Sequence, residues 1–141
     1  MAKTLVCEIV TPERIVYNHE ALMVVATTTQ GEIGILPLHA PLVSTLAPGE
    51  VRLKLGDAAT DWEVFTVSGG YVQVHEDKVL VLADSAVAVS KIDKTVARES
   101  VEAIRQRLAD LPAEAEDERA ECIRDLEWYR CQLKSAEKHG S

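Results

Sequence analysis

The chain has 141 residues, a formal net charge of −8 and 27% charged residues. This length suits one domain or a small domain with an appendage, and an acidic chain without a lysine or arginine tract does not favour nucleic-acid binding. No apolar stretch approaches the roughly 20 residues of a membrane-spanning helix, and the start at Met1 lacks the apolar region of a signal peptide. We therefore expect a soluble, cytoplasmic protein that reaches a membrane only through partners.

The composition changes sharply near Ser90. Before it lie 15 of the 17 valines, six of the seven glycines and four of the five prolines, whereas ten of the 15 lysines and arginines follow it. Valine favours strands, and glycine and proline favour the turns between them. We predict an all-β sandwich of about ten short antiparallel strands in residues 1–88, followed by an antiparallel α-helical hairpin in residues 89–141.

Apolar and polar residues alternate in the first half, beginning with Leu5, Cys7 and Ile9. A period of two is typical of strands that bury one face. The continuous apolar run over residues 79–83 instead predicts a strand that is buried on both faces. Turns are predicted between the runs at Asn18-His19, Gln30-Gly31, Pro48-Gly49, Gly56-Asp57, Ser68-Gly69-Gly70 and Glu76-Asp77.

The most unusual segment is residues 31–41, which read Gly-Glu-Ile-Gly-Ile-Leu-Pro-Leu-His-Ala-Pro. Two glycines give the backbone freedom, while two prolines fix φ and remove amide donors. We predict a short strand that ends in a stiff loop carrying one carboxylate, Glu32, and one imidazole, His39. From the residues alone, these groups could be a polar side chain on a turn and a loop histidine bonded to the backbone.

A helical pattern starts at Ser90. Ser90 and Asp93 have the spacing of a capping box, in which the hydroxyl accepts an early helix amide. A first amphipathic helix should stop at Pro112, and a second should begin with acidic residues and end at Gly140. The apolar stripes of the two helices are Ala97, Val101, Ile104, Leu108 and Leu111, and then Cys122, Ile123, Leu126, Tyr129, Leu133 and Ala136.

Signatures of an independent enzyme are missing from the sequence. It contains no GxxxxGK[ST], GxSxG or HExxH motif. The cysteines Cys7, Cys122 and Cys131 show no CxxC spacing, so we expect reduced structural thiols and no metal site. An enzyme that acts alone is therefore the weakest hypothesis.

Residues 31–41 resemble the signature of the epsilon-subunit family of bacterial-type F-type ATP synthases. Three more blocks resemble the same family in the same order: residues 8–13, 68–74 and 79–86. The resemblance implies a non-catalytic rotor subunit of the central stalk, which couples ion-driven rotation to ATP synthesis. It also implies a peripheral location at the cytoplasmic face of a bacterial inner membrane, with the chloroplast thylakoid as the less favoured alternative.

The resemblance further implies three partners. Residues 1–88 would join the gamma subunit to the ring of membrane-embedded c subunits, with Glu32 and His39 facing the ring. The hairpin would fold against the sandwich or extend beside the shaft, with hinges at Ser90 and Pro112, and would restrain ATP hydrolysis when extended. Its contacts with the alpha and beta catalytic subunits would come from Arg119, Arg124, Arg130 and Lys134.

Some members of the family bind ATP through an Ile/Leu-Asp-x-x-Arg-Ala motif at the start of the hairpin. Here Ile92, Asp93 and Ala97 match, but Val96 replaces the arginine, and Arg98 lies two residues later on the opposite face of a helix. We predict no cofactor and no tight ATP site, with Asp93 as the candidate for a weak one. Two alternative functions stay open: a free-standing nucleotide-sensing module and an adaptor of another membrane complex.

Overall fold

The computed structural model describes residues 3–139, which form two compact units that divide between Ala88 and Val89. The second unit contains a 3-10 turn at Val89–Lys91 and the helices α1 (Lys94–Asp110) and α2 (Glu116–Lys138). Among the described residues the first unit has nine strands: β1 (Leu5–Val10), β2 (Ile15–Ala21), β3 (Met23–Thr28), β4 (Gly31–Ile35), β5 (Leu42–Lys54), β6 (Trp62–Val67), β7 (Gly70–His75), β8 (Lys78–Ala83) and β9 (Ala86–Ala88).

Strand β5 belongs to both layers of a sandwich. Its first half, residues 42–46, pairs with β7 in the layer β2-β1-β8-β7-β5. Its second half, residues 49–54, pairs with β6 in the layer β4-β3-β5-β6-β9. The predicted sandwich and helical hairpin are therefore confirmed. The difference in detail is that β1 and β8 pair in parallel, whereas the other strand pairs of the described residues are antiparallel.

Two of the predicted turns lie inside strands, and both predictions are wrong. Pro48-Gly49 sits in the middle of β5, where this strand exchanges its partner β7 for β6. A proline is tolerated there because its missing amide falls between the two paired halves. Two predicted strands thus become one. Asn18-His19 likewise continues β2, in register with Glu8 and Cys7 of β1.

One hydrophobic core fills the space between the layers. Alternation is clearest in β1, where Leu5, Cys7 and Ile9 are buried. The expectation that β8 is buried on both faces is wrong, because Val79 and Val81 are buried while Leu82 is 43% exposed. The apolar run reflects a strand whose outward face is also apolar.

Burial also determines the chemistry of the cysteines. Cys7 is fully buried in the core, and this desolvation, with a smaller effect of the Glu8 carboxylate, raises the pKa of its thiol to about 12. The reactive thiolate is therefore scarce at neutral pH. Cys122 is buried and Cys131 is half-buried.

The helical unit begins differently from the predicted capping box. Asp93 is the N-cap of α1, and its carboxylate accepts the amides of Thr95 and Val96 at 3.0 and 3.2 Å. Ser90 lies in the preceding 3-10 turn, so the predicted box of Ser90 and Asp93 is wrong. A second acceptor from Ser90 is not needed, because the Asp93 carboxylate alone accepts two of the first helix amides.

The two helices pack as an antiparallel pair. Helix α1 ends at Asp110, two residues before Pro112, as predicted. In α2, Cys122, Leu126 and Ala136 are buried, but Ile123 is 44% exposed, so its assignment to the apolar stripe is wrong. The predicted stop at Gly140 lies outside the described residues. Neither of the described helices is both long and apolar enough to span a bilayer.

A close approach between β7 and β8 yields a stability prediction. A Cβ at Gly70, where φ is +130°, would overlap the Leu82 carbonyl. Replacing Gly70 by alanine should therefore lower the free energy of unfolding by about 3–4 kcal/mol or more. The control is Gly31→Ala, with φ +115° and open space around the new atom, which should cost only about 1–2 kcal/mol. Equal losses in urea unfolding would contradict this explanation.

Candidate functional site

A turn in the 36–41 loop, directly after β4, presents two leucines to solvent. The side chains of Leu36 and Leu38 are 55% and 71% exposed. The His39 amide donates to the Leu36 carbonyl at 3.2 Å, which closes a four-residue turn with Pro37 in second place. Leu38, in third place, has a φ of 67°. Proline followed by positive φ is typical of a type II turn, in which glycine is favoured at the third position.

The conformation of Leu38 carries a cost. A residue with a Cβ loses about 1–2 kcal/mol in the left-handed region. The Leu38 amide donates to Oδ1 of Asp77 at 2.6 Å, across 39 positions of the chain. Asp77 lies in the turn between β7 and β8, with a φ of 60°, and its carbonyl accepts the Val6 amide at 2.9 Å. The sequence marked Asp77 as a turn residue and carried no signal of its contact with the loop.

Glu32 lies on β4 and not in the loop where we expected it. It stands opposite Thr27 of β3, and its Oε1 accepts a hydrogen bond from Nη2 of Arg52 at 2.9 Å. The side chains are 56% and 23% exposed, respectively. An ion pair this exposed is worth less than about 1 kcal/mol. It orients the carboxylate at the surface more than it stabilises the fold. The sequence carried no signal of this role for Arg52. Like Lys54 two positions later, it reads only as a basic residue that alternates with the apolar residues of the strand.

His39 is half-buried in the loop, and its ring is bonded to the backbone. Its Nδ1 lies 2.7 Å from the Ala40 carbonyl, and since a carbonyl only accepts, Nδ1 must carry the proton. Within residues 3–139 no hydrogen bond or ion pair joins His39 to Glu32.

A second surface of the sandwich is apolar and exposed. Tyr71 of β7 stands between Thr45 of β5 and Leu82 of β8 in the cross-strand register. Tyr71 and Leu82 are 57% and 43% exposed, and Val43, two residues before Thr45 on the same face of β5, is 70% exposed. We call Val43, Tyr71 and Leu82 the outer face. A contiguous exposed apolar patch is typical of a protein interaction site.

The four basic residues predicted to contact catalytic subunits do not form one surface of α2. Arg124, Arg130 and Lys134 are exposed, and Arg130 and Lys134, four positions apart, share a face with the half-buried Arg119, which is about 20° from Arg130. Arg124 is about 120° away from Arg130 around the helix. A single flat acidic surface could therefore meet Arg130 and Lys134 together, but not Arg124 at the same time.

Arg119 has a structural role within the helical unit. Its Nη1 donates to the carbonyls of Leu108 and Leu111, both at 3.1 Å. These carbonyls belong to the end of α1, where the last turn of a helix lacks intrahelical donors. The guanidinium thus caps α1 across the short connection that contains Pro112. The predicted hinges, Ser90 and Pro112, flank α1 on either side.

The residues of the ATP-motif region are occupied by local contacts. The Asp93 carboxylate accepts two backbone amides as the N-cap of α1, and Nη2 of Arg98 lies 3.4 Å from Oε1 of Glu137 on α2. Val96, where the motif has arginine, is 53% exposed. This arrangement explains Asp93 without a nucleotide.

Comparisons with known proteins all point to one family. Residues 4–89 match the family described as ATP synthase, Delta/Epsilon chain, beta-sandwich domain. An ATP synthase epsilon chain from Thioalkalivibrio sulfidiphilus is 40% identical over 114 residues, which cover 81% of this chain and 80% of the relative. The epsilon chain from Brevibacillus brevis is 45% identical over 108 residues, which cover 76% and 80%.

Solved structures support the same fold. A chain in the cryo-EM structure of the Euglena gracilis mitochondrial ATP synthase, OSCP/F1/c-ring in rotational state 1, aligns with a TM-score of 0.74 at 20% identity. The alignment covers 94% of this chain and 81% of that one. At this level of identity the similarity concerns the fold.

Proposed function

The chain belongs to the epsilon-chain family of ATP synthases, and we propose that it works as a non-catalytic rotor subunit of the central stalk. In this role the sandwich joins the gamma subunit to the ring of c subunits, so that ion-driven rotation is coupled to ATP synthesis. The observation that carries the proposal is that one sandwich presents two exposed surfaces: the 36–41 loop and the outer face.

The ring contact is assigned to the 36–41 loop and the adjacent carboxylate of Glu32. Leu36 and Leu38 offer exposed apolar side chains, and Glu32 and His39 offer a carboxylate and an imidazole to polar groups of the ring loops. Arg52 holds one oxygen of Glu32, so the carboxylate is oriented before contact. A pre-oriented group loses less side-chain entropy when it binds.

Replacement of residues 36–41 by a plain turn should release the subunit from the ring without unfolding the sandwich, because the loop contributes no side chain to the buried core. The measurement is ATP synthesis by membrane vesicles that carry the variant, with urea unfolding of the isolated subunit. The matched control replaces residues 56–61, another exposed loop, by the same turn. Undiminished coupled synthesis with the first variant would refute the docking role.

The gamma contact is assigned to the outer face. Apolar side chains on strands of a rigid layer can be buried against a partner with little loss of backbone entropy. Tyr71 lies between Thr45 and Leu82 in the cross-strand register, and it combines a large apolar ring with a hydroxyl. Tyrosine is among the residues that most often dominate the binding energy of interfaces.

Tyr71→Glu should weaken binding of the subunit to gamma at least about tenfold, because a charge would be buried in an apolar contact. Stability should change by less than about 0.5 kcal/mol, since Tyr71 is exposed in the isolated chain. Thr60→Glu is the control: it adds the same charge at an exposed position of the 56–61 loop, outside the outer face. Calorimetric titration with gamma separates the two variants, and equal affinities would remove the outer face from the interface.

We propose that the hairpin is the regulatory part. Extension beside the shaft would bring Arg130 and Lys134 against acidic surface of the alpha and beta subunits and oppose ATP hydrolysis. Charge-assisted hydrogen bonds of this kind are among the stronger polar contacts. The capping contact of Arg119 keeps α1 and α2 closed on each other, and the bend would open at Ser90 and Pro112.

A chain cut after Ser90 should raise ATP hydrolysis by the assembled enzyme several-fold, because the hairpin that restrains it is gone. The hydrolysis rate of this enzyme is compared with that of an enzyme carrying the full chain. The amount of the cut chain in the assembled enzyme is quantified to show that the sandwich stays bound. Arg130→Gln with Lys134→Gln should give part of the rise, whereas Arg124→Gln, on another face, should give less. Unchanged hydrolysis with the cut chain bound would leave the hairpin without an inhibitory role.

We further propose that the protein lies at the cytoplasmic face of a bacterial inner membrane, to which it is attached through the c ring. The bacterial relatives support this location. No cofactor is needed for a coupling role. The N-cap role of Asp93 and the pairing of Arg98 with Glu137 favour a hairpin without a tight ATP site.

A further inference from the structure

The 36–41 loop contains an unfavourable residue choice at its tip. Leu38 occupies the third position of a turn with the features of type II, where its φ of 67° suits glycine better than leucine. Strain of this kind persists when the surroundings hold it in place, and it is concentrated at functional positions. The side chain that results is 71% exposed, so packing against the core does not hold it.

The contact that holds Leu38 comes from another part of the sandwich. Its amide does not close the turn, since the His39 amide does so, and it donates instead to the Asp77 carboxylate at 2.6 Å. An acceptor with a full charge gives a stronger hydrogen bond than a neutral one. The other end of Asp77 is anchored as well, because its carbonyl accepts the Val6 amide of β1.

We propose that Asp77 is a positioning residue for ring docking: its carboxylate holds Leu38 in the left-handed conformation and so gives the 36–41 loop the shape in which Leu36 and Leu38 meet the ring. This inference rests on the proposed ring contact of that loop. The contacts with the ring are made by Leu36 and Leu38, and Asp77 itself makes none. Through its bonds to Leu38 and Val6 it fixes the 36–41 loop to β1 and to the β7–β8 turn. Without this contact, a leucine at position 38 would favour a backbone conformation with negative φ.

The test is a double-mutant cycle on the full chain. Asp77→Gly removes the carboxylate while glycine readily adopts the φ of 60° at this turn position. Leu38→Gly lets the turn form without help from Asp77. The control is Glu76→Gly, which changes the neighbouring turn residue, with a φ of 49° and a side chain that is 87% exposed. Binding to purified c ring and hydrogen exchange of the residue-38 amide are measured for each chain.

Asp77→Gly should speed exchange of the Leu38 amide and weaken ring binding, each by about tenfold, the loss typical of one charge-assisted hydrogen bond. Glu76→Gly should leave both unchanged. In the Leu38→Gly background, Asp77→Gly should lower ring affinity no further, because a glycine at this position needs no clamp. This loss of coupling distinguishes a positioning role from general destabilisation of the turn.

Each outcome decides between two claims. If the unaltered chain binds the ring and Asp77→Gly binds equally well, the positioning role is wrong and the docking loop stands. A tenfold loss that persists in the Leu38→Gly background would also overturn the proposal, since Asp77 would then act other than through Leu38. If the unaltered chain does not bind the ring, the ring contact in the proposed function fails, and the positioning role fails with it.

Discussion

The sandwich depends on one strand that pairs in two layers. The first half of β5 is hydrogen-bonded to β7 and its second half to β6, while β3 runs along the other edge. Pro48 lies between the halves and withdraws an amide where the partner changes. Because both layers share this strand, their separation and angle are defined by the backbone as well as by the core. Surfaces in different layers therefore keep a fixed geometry, as a mechanical coupling element requires.

Polar side chains join elements that are distant in sequence at three points. Arg52 orients Glu32, Asp77 holds Leu38, and Arg119 caps the end of α1. Each of these contacts fixes a local conformation at or near the surface. The core makes the fold stable, whereas these contacts give the docking loop and the hairpin their defined shapes.

Fold class was predictable from the sequence because valine, glycine and proline are concentrated before Ser90 and helical periodicity follows it. The wrong predictions have a common origin: they were made from local sequence, whereas pairing and burial depend on segments distant in the chain. Pro48-Gly49 looks like a turn locally, and it becomes part of β5 because β7 pairs with the residues before it and β6 with those after it. The run at residues 79–83 looks doubly buried because its outward residues are also apolar, although one side stays exposed.

The candidate site was predictable to a smaller degree. Glycine and proline spacing revealed the stiff loop, because these residues determine backbone conformation locally. The contacts of Arg52 and Asp77 were not predictable, since each joins segments whose adjacency follows from strand order. The same is true of the outer face: Val43, Tyr71 and Leu82 come from three strands and become neighbours only in the register of the folded sheet.

The parallel pairing of β1 with β8 has a consequence for biosynthesis. Strand β1 can pair with β2 on one edge as soon as β2 is made, but the edge that faces β8 must stay open until β2 to β7 have been made. Pairing across such a separation is slow, and an open edge invites association with other nascent chains. Helices α1 and α2 emerge after the strands and make local contacts, so their closure is fast. Completion of the layer that contains β1 is thus timed by the synthesis of β8.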